Sequence, residues 1–325
     1  MRQPLLVRAS GVPLLALLAA FLILGTGCGA STVTVLASMQ AARNDASTGQ
    51  YSAALAPLAA VLSQDPTDVS ALLLRASCYA GLGQYNLAAS DAQAAARVTP
   101  TSATFLLLAG YYWDNGQTIS AAAALTAAAR AAGTDPAQLM SVATQQIAYA
   151  AYGGAQHTLL LVAPSERAYT WYIAQGQVDA VLGTVAQVET NFAQGLRLSP
   201  LGQRAPLWML IGDTWLSQGH YNRALSAYDD AASSQGSLDT IQLQLQIATV
   251  EGDLGKPLAA AAIYQKVLTQ TLSAPRRDDV ELALARAWSQ AGYTRQALTL
   301  LRGMLRTDLT QPTRAQVDAL LAALQ

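Results

Sequence analysis

The sequence predicts an all-α chain of stacked helical hairpins, on three observations. Glycines recur as Gly49, Gly83, Gly116, Gly183, Gly219, Gly255 and Gly292, at spacings of 34, 33, 67, 36, 36 and 37 residues. Five residues after each stands Ala54, Ala88, Ala121, Val188, Ala224, Ala260 or Ala297, and seven before each stands Ala42, Ala76, Ala109, Gly176, Gly212, Ala248 or Ala285. Apolar residues fall at helical spacing, as in Trp208, Ile211, Gly212 and Trp215, and no stretch alternates with a period of two. A period near 34 with one blurred beat marks a repeat array, in which each unit buries its apolar face only against its neighbours.

Within each unit the glycine ends the first of two antiparallel helices, because a left-handed residue is cheap without a Cβ. The small residues before and after it mark where the two helices cross. Pro66, Pro100 and Pro200 end second helices, since proline cannot continue one. The 67-residue gap is nearly two periods and predicts a degenerate unit at 137–166. Its expected parts are a first helix over Gln138–Tyr152, a turn at Gly153-Gly154, and a second helix over Thr158–Ala163 cut short by Pro164. Eight units then fill residues 35–309. Thr313 reads as the N-cap of a last helix within 310–325, with Val317, Leu320, Leu321 and Leu324 on one face.

The unit Trp208, Ile211-Gly212, Trp215, Gly219-His-Tyr221, Ala224, Tyr228, Ala231 resembles the tetratricopeptide repeat at nearly every signature position. Leu72, Arg75-Ala76, Tyr79, Gly83-Gln-Tyr85, Ala88, Ala92, Ala95 and Pro100 match similarly; Gln244 and Glu281 depart where a large residue is usual. The resemblance implies a right-handed superhelical solenoid with a C-terminal capping helix, and a role in binding other proteins. It also implies that fixed positions of each first helix line a concave groove: Leu73, Leu106, Trp113, Ile173, Met209, Leu216 and Leu282, with Arg43, Asp213, Asp253 and Arg286 among them. Some of these could equally be core. The Lys/Asn/Arg set with which the family's best-known clamp holds a C-terminal carboxylate is missing. A mostly apolar inner row instead fits an apolar helix or extended peptide.

The N-terminus is a separate object. Arg2 and Arg8 precede an apolar run from Val12 to Leu24, then Gly25-Thr26-Gly27-Cys28. The segment resembles the lipobox of bacterial lipoproteins, although Gly25 holds the place where leucine is best known. That resemblance implies lipidation of Cys28, with residues 1–28 as signal or anchor and 29–34 as a short linker. The other reading is an uncleaved signal anchor over Gly11 to Gly27. Both put the body outside the cytoplasm, bound to the membrane.

Composition narrows function further. The 325 residues are 52% hydrophobic and 12% charged, with 19 Lys plus Arg against 20 Asp plus Glu. Such a chain is not disordered, and it has no electrostatic footprint for nucleic acid. Only His157 and His220 are available as histidines, neither at metal-ligand spacing from other ligands, and Asp229-Asp230 diverge on a helix. No nucleophile motif or phosphate loop occurs, and no cofactor is expected. The expected role is a non-catalytic scaffold for a protein or peptide partner, with self-association as a further possibility. The alternative is a ligand-sensing or enzymatic site in the irregular segment 137–170, around Tyr152 and His157. Cys78, in an Ala/Leu-rich helix pattern, reads as a small core residue.

Overall fold

The computed structural model describes residues 30–234 and 239–324. Among them every regular element is helical. They fall into two compact units, the chain dividing between Arg167 and Ala168.

The first unit holds four hairpins: α1 Ala30–Ser47 with α2 Tyr51–Gln64, α3 Val69–Gly81 with α4 Tyr85–Val98, α5 Ser102–Asp114 with α6 Thr118–Ala132, and α7 Pro136–Ala148 with α8 Tyr152–Leu160. The second holds α9 Tyr169–Leu182 with α10 Val185–Leu198, α11 Arg204–Ser217 with α12 Tyr221–Ser233, α13 Thr240–Asp253 with α14 Pro257–Leu268, and α15 Ala274–Gln290 with α16 Thr294–Met304. A single helix, α17 Gln311–Ala323, closes it. α1 begins at Ala30, inside the stretch expected as a linker.

The turns show why the glycines repeat. Gly49, Gly83, Gly116, Gly219, Gly255 and Gly292 all have φ between 73° and 81°. The next residue's N–H reaches back over the helix end, as in Gln84 to the Tyr79 carbonyl at 2.8 Å and His220 to Trp215 at 2.9 Å, satisfying carbonyls the helix leaves open. The missing beat is Ala150. Its φ is 56°, and the Ala151 N–H closes the same bond to Gln146 at 2.8 Å. The expected turn at Gly153-Gly154 is therefore wrong, because both glycines lie inside α8. An alanine in the left-handed region costs about 1–2 kcal/mol, so sequence alone points to the neighbouring glycine pair instead. α8 is short, at 9 residues, and ends ahead of a 3₁₀ turn that starts at Pro164.

Gly183 is the second departure. Its φ is −109°, and a capping box built by Thr184 and Gln187 starts α10 in place of the left-handed turn. At the C-terminus the cap of α17 is Thr310, whose side chain accepts from the Thr313 N–H, so the expected cap sits three residues too far along. Pro66, Pro100 and Pro200 each follow the last residue of a second helix, as expected.

Close crossing of paired helices makes the core. Ala42, Ala54, Ala76, Ala88, Ala109, Ala224, Ala248, Ala285 and Ala297 are all 0% exposed. A β-carbon on Gly176 would collide with the Phe192 ring of the facing helix. Large side chains knit hairpin to hairpin: Phe192 on α10 meets Trp215 on α11 edge-on, ring centres 6.2 Å apart. Phe192, Ile211, Trp215, Tyr228, Leu243 and Val250 share one buried cluster spanning three hairpins. Cys78 is fully buried.

Candidate functional site: the face of the first helices

First helices of neighbouring hairpins touch one another within each unit, α1 with α3 and α5 with α7, then α9 with α11 and α11 with α13. Within each unit they lie side by side, and the residues left partly exposed there are that unit's candidate binding face. In the first unit Leu73, Leu106 and Trp113 are half-buried. Trp113 is not free, however. Tyr149, at the end of α7, stacks on it with ring centres 4.1 Å apart and planes 2° from parallel.

In the second unit Met209, Asp213 and Leu216 share one side of α11 and stay half-buried. Two of the predicted groove residues belong to the core instead. Ile173 is 5% exposed, packed in the cluster with Phe192 and Ile211, and Leu282 is 3% exposed beneath Val317 and Leu321 of α17. In both cases neighbouring helices cover the side chain, because the inward face and the stacking face of a first helix share an edge. Arg286 is exposed and donates to the Gln316 side chain of α17 at 2.7 Å, so the closing helix takes up that position as well. Arg43 is half-buried and Asp253 exposed.

Asp213 is a polar group on this face held by two neighbouring helices. Its Oδ1 accepts from the Tyr228 hydroxyl of α12 at 2.6 Å and from the Gln246 amide of α13 at 2.8 Å. Burial pushes its carboxyl above the usual range, and the two hydrogen bonds only partly oppose that. Tyr228, 0% exposed, is pushed up by burial and then by the Asp213 carboxylate.

Two buried polar groups escaped the sequence reading. Arg75 makes a two-pronged ion pair with Asp91, 2.7 and 2.8 Å, across the α3–α4 hairpin. In the α9–α10 hairpin Asp179 accepts from Gln175 at 2.8 Å and from Asn191 at 2.7 Å. The available signal was polar residues standing sixteen apart where neighbouring repeats hold apolar ones, as Ile211 and Ala227 do.

In the irregular segment His157 is exposed and Tyr152 half-buried. The described residues contain no group of three or more His, Cys, Asp or Glu able to hold a metal. No helix among them is long and apolar enough to cross a membrane. Cys28 and the apolar run before it lie outside the described residues.

Comparison with known proteins agrees with this architecture. A tetratricopeptide repeat protein from Parabacteroides merdae superposes with a TM-score of 0.57 at 13% identity, over 78% of this chain and 99% of that one. Yeast Tom70 superposes with a TM-score of 0.54 at 14% identity, over 84% of this chain and 58% of that one. The fold is thus of the tetratricopeptide type. No family model matches the chain. No curated protein matches it in sequence.

Proposed function

We propose that the chain is an interaction scaffold that holds a segment of another protein against its first-helix layer and works outside the cytoplasm, tied to the membrane through its N-terminus. The observation that carries the binding role is the set of apolar side chains on the first helices that pack only partly into the core, Leu73 and Leu106 in one unit, Met209 and Leu216 in the other. The part of each side chain that the core does not cover faces solvent, and apolar surface left open on a folded protein marks a place where something docks. The fold supports the role by analogy only. The membrane placement rests on the basic start, the apolar run and Cys28.

Photo-crosslinking tests the binding role. A benzophenone amino acid at Leu106 or Leu216 should capture a discrete protein in cells, and the same group at Ser226, exposed on α12, should not. Equal capture at both faces would refute it.

A further inference from the structure

We propose that Asp213, flanked by Met209 and Leu216 on α11, is a subsite for a basic side chain carried on an otherwise apolar partner segment. The inference rests on the binding role proposed above and adds the partner's chemistry. Three features carry it. Both donors to Asp213, the Tyr228 hydroxyl and the Gln246 amide, are neutral and use the same oxygen, Oδ1. Oδ2 has no hydrogen bond, and no Lys or Arg pairs with the carboxylate, among the described residues. The side chain nevertheless keeps some exposure, as do Met209 and Leu216, which are half-buried on the same helix.

A neutral acceptor such as an asparagine carbonyl would serve Tyr228 and Gln246 equally well. The carboxylate therefore carries a charge its own fold does not require, held against a desolvation penalty with no cation to offset it. Two anchored bonds fix its orientation, so a guanidinium or ammonium arriving at Oδ2 meets a preorganised acceptor. Met209, four residues before, and Leu216, three after, lie on the same helix side and supply apolar contact on either flank. The complementary ligand is a stretch of apolar residues interrupted by one Lys or Arg.

The test uses the full chain, solubilised in mild detergent and immobilised. The probes are acetylated, amidated nine-residue peptides with four apolar residues on each side of a central Arg, Lys, citrulline, Leu or Glu. The expected result is about tenfold tighter binding of the Arg and Lys peptides than of the citrulline and Leu peptides, with Glu weakest. Asp213→Asn should erase that advantage while still binding the Leu peptide, with helical content unchanged by circular dichroism. Should this variant fail to fold, the ranking on the unaltered chain decides by itself. Peptides that bind without a basic preference, or an Asn variant that keeps the preference, would overturn the subsite alone. A chain that binds none of the peptides would overturn the docking face with it.

Discussion

The Tyr228 ring occupies the space that a β-carbon on Gly212 would need, which is why a glycine stands where the other seven hairpins use glycine or alanine to let their helices meet. Tyr228 has no room to retreat, being 0% exposed with its hydroxyl tied to Asp213. Close approach, aromatic fill and a polar tie on the binding face are thus one arrangement.

Overpacking this crossing should be costly. Gly212→Leu or Ala224→Leu is expected to lose about 1–3 kcal/mol in urea unfolding. Trp208→Ala should fall toward or below the lower end of the roughly 3–5 kcal/mol range for truncated core aromatics, because Trp208 is only half-buried. Near-zero loss at both Gly212 and Ala224 would mean the helices do not cross there.

Ala150 gives an opposite expectation. Ala150→Gly should stabilise the protein by about 0.5–1 kcal/mol, since relief of left-handed strain exceeds the added freedom of the unfolded chain. Gly116→Ala, at the equivalent turn one hairpin earlier with φ 75°, should destabilise by about 1 kcal/mol. Thermal melts of the two variants should shift in opposite directions; shifts of the same sign contradict the assigned turn.

Stability should also depend on pH through Asp213. Its carboxyl is raised in the folded state, so folding takes up its proton more readily than the unfolded chain does. Its contribution is most favourable below the ordinary carboxylate range and declines as pH rises through the raised value. Asp213→Asn removes that decline, so the variant's stability relative to the original should increase from about pH 4 to pH 7. The other carboxylates are common to both proteins and cancel in the difference. A flat or falling difference in urea melts would show that burial does not govern this group.

The N-terminal reading has its own check. Cys28→Ser should abolish incorporation of a fatty-acid analogue, motivated by the small-residue run ending in Cys28 after an apolar stretch. Labelling that persists in the variant, or is missing from the unaltered chain, excludes lipidation at that residue.

Much of the fold was legible because its strictest demands are steric. Only glycine turns cheaply at Gly83, and only a small side chain fits at Ala76 and Ala88, so the chain displays its period directly. Reading failed where the backbone accepted strain or a local substitute. Ala150 takes a left-handed turn without a glycine, Thr184 with Gln187 replaces one at Gly183, and Thr310 rather than Thr313 caps α17. The binding face was only half legible. One residue step separates a half-buried position from one covered by a neighbouring helix, so Ile173 and Leu282 went into the core while Met209 and Leu216 stayed half-buried. Partners such as Tyr149 for Trp113, Gln246 for Asp213 and Gln316 for Arg286 come from neighbouring repeats or the closing helix, where one unit's pattern carries no information about them.

The central claim is that the first-helix layer is the working surface, and the affinity of charge-insertion variants for the photo-captured protein tests it most directly. Leu106→Glu and Leu216→Glu, checked for unchanged helical content, should each weaken binding by about 2 kcal/mol or more where the side chain is a buried anchor. Ser226→Glu should leave binding within about 0.5 kcal/mol. Folded inner-face variants that bind as tightly as the unaltered chain would contradict the account and move the working surface elsewhere.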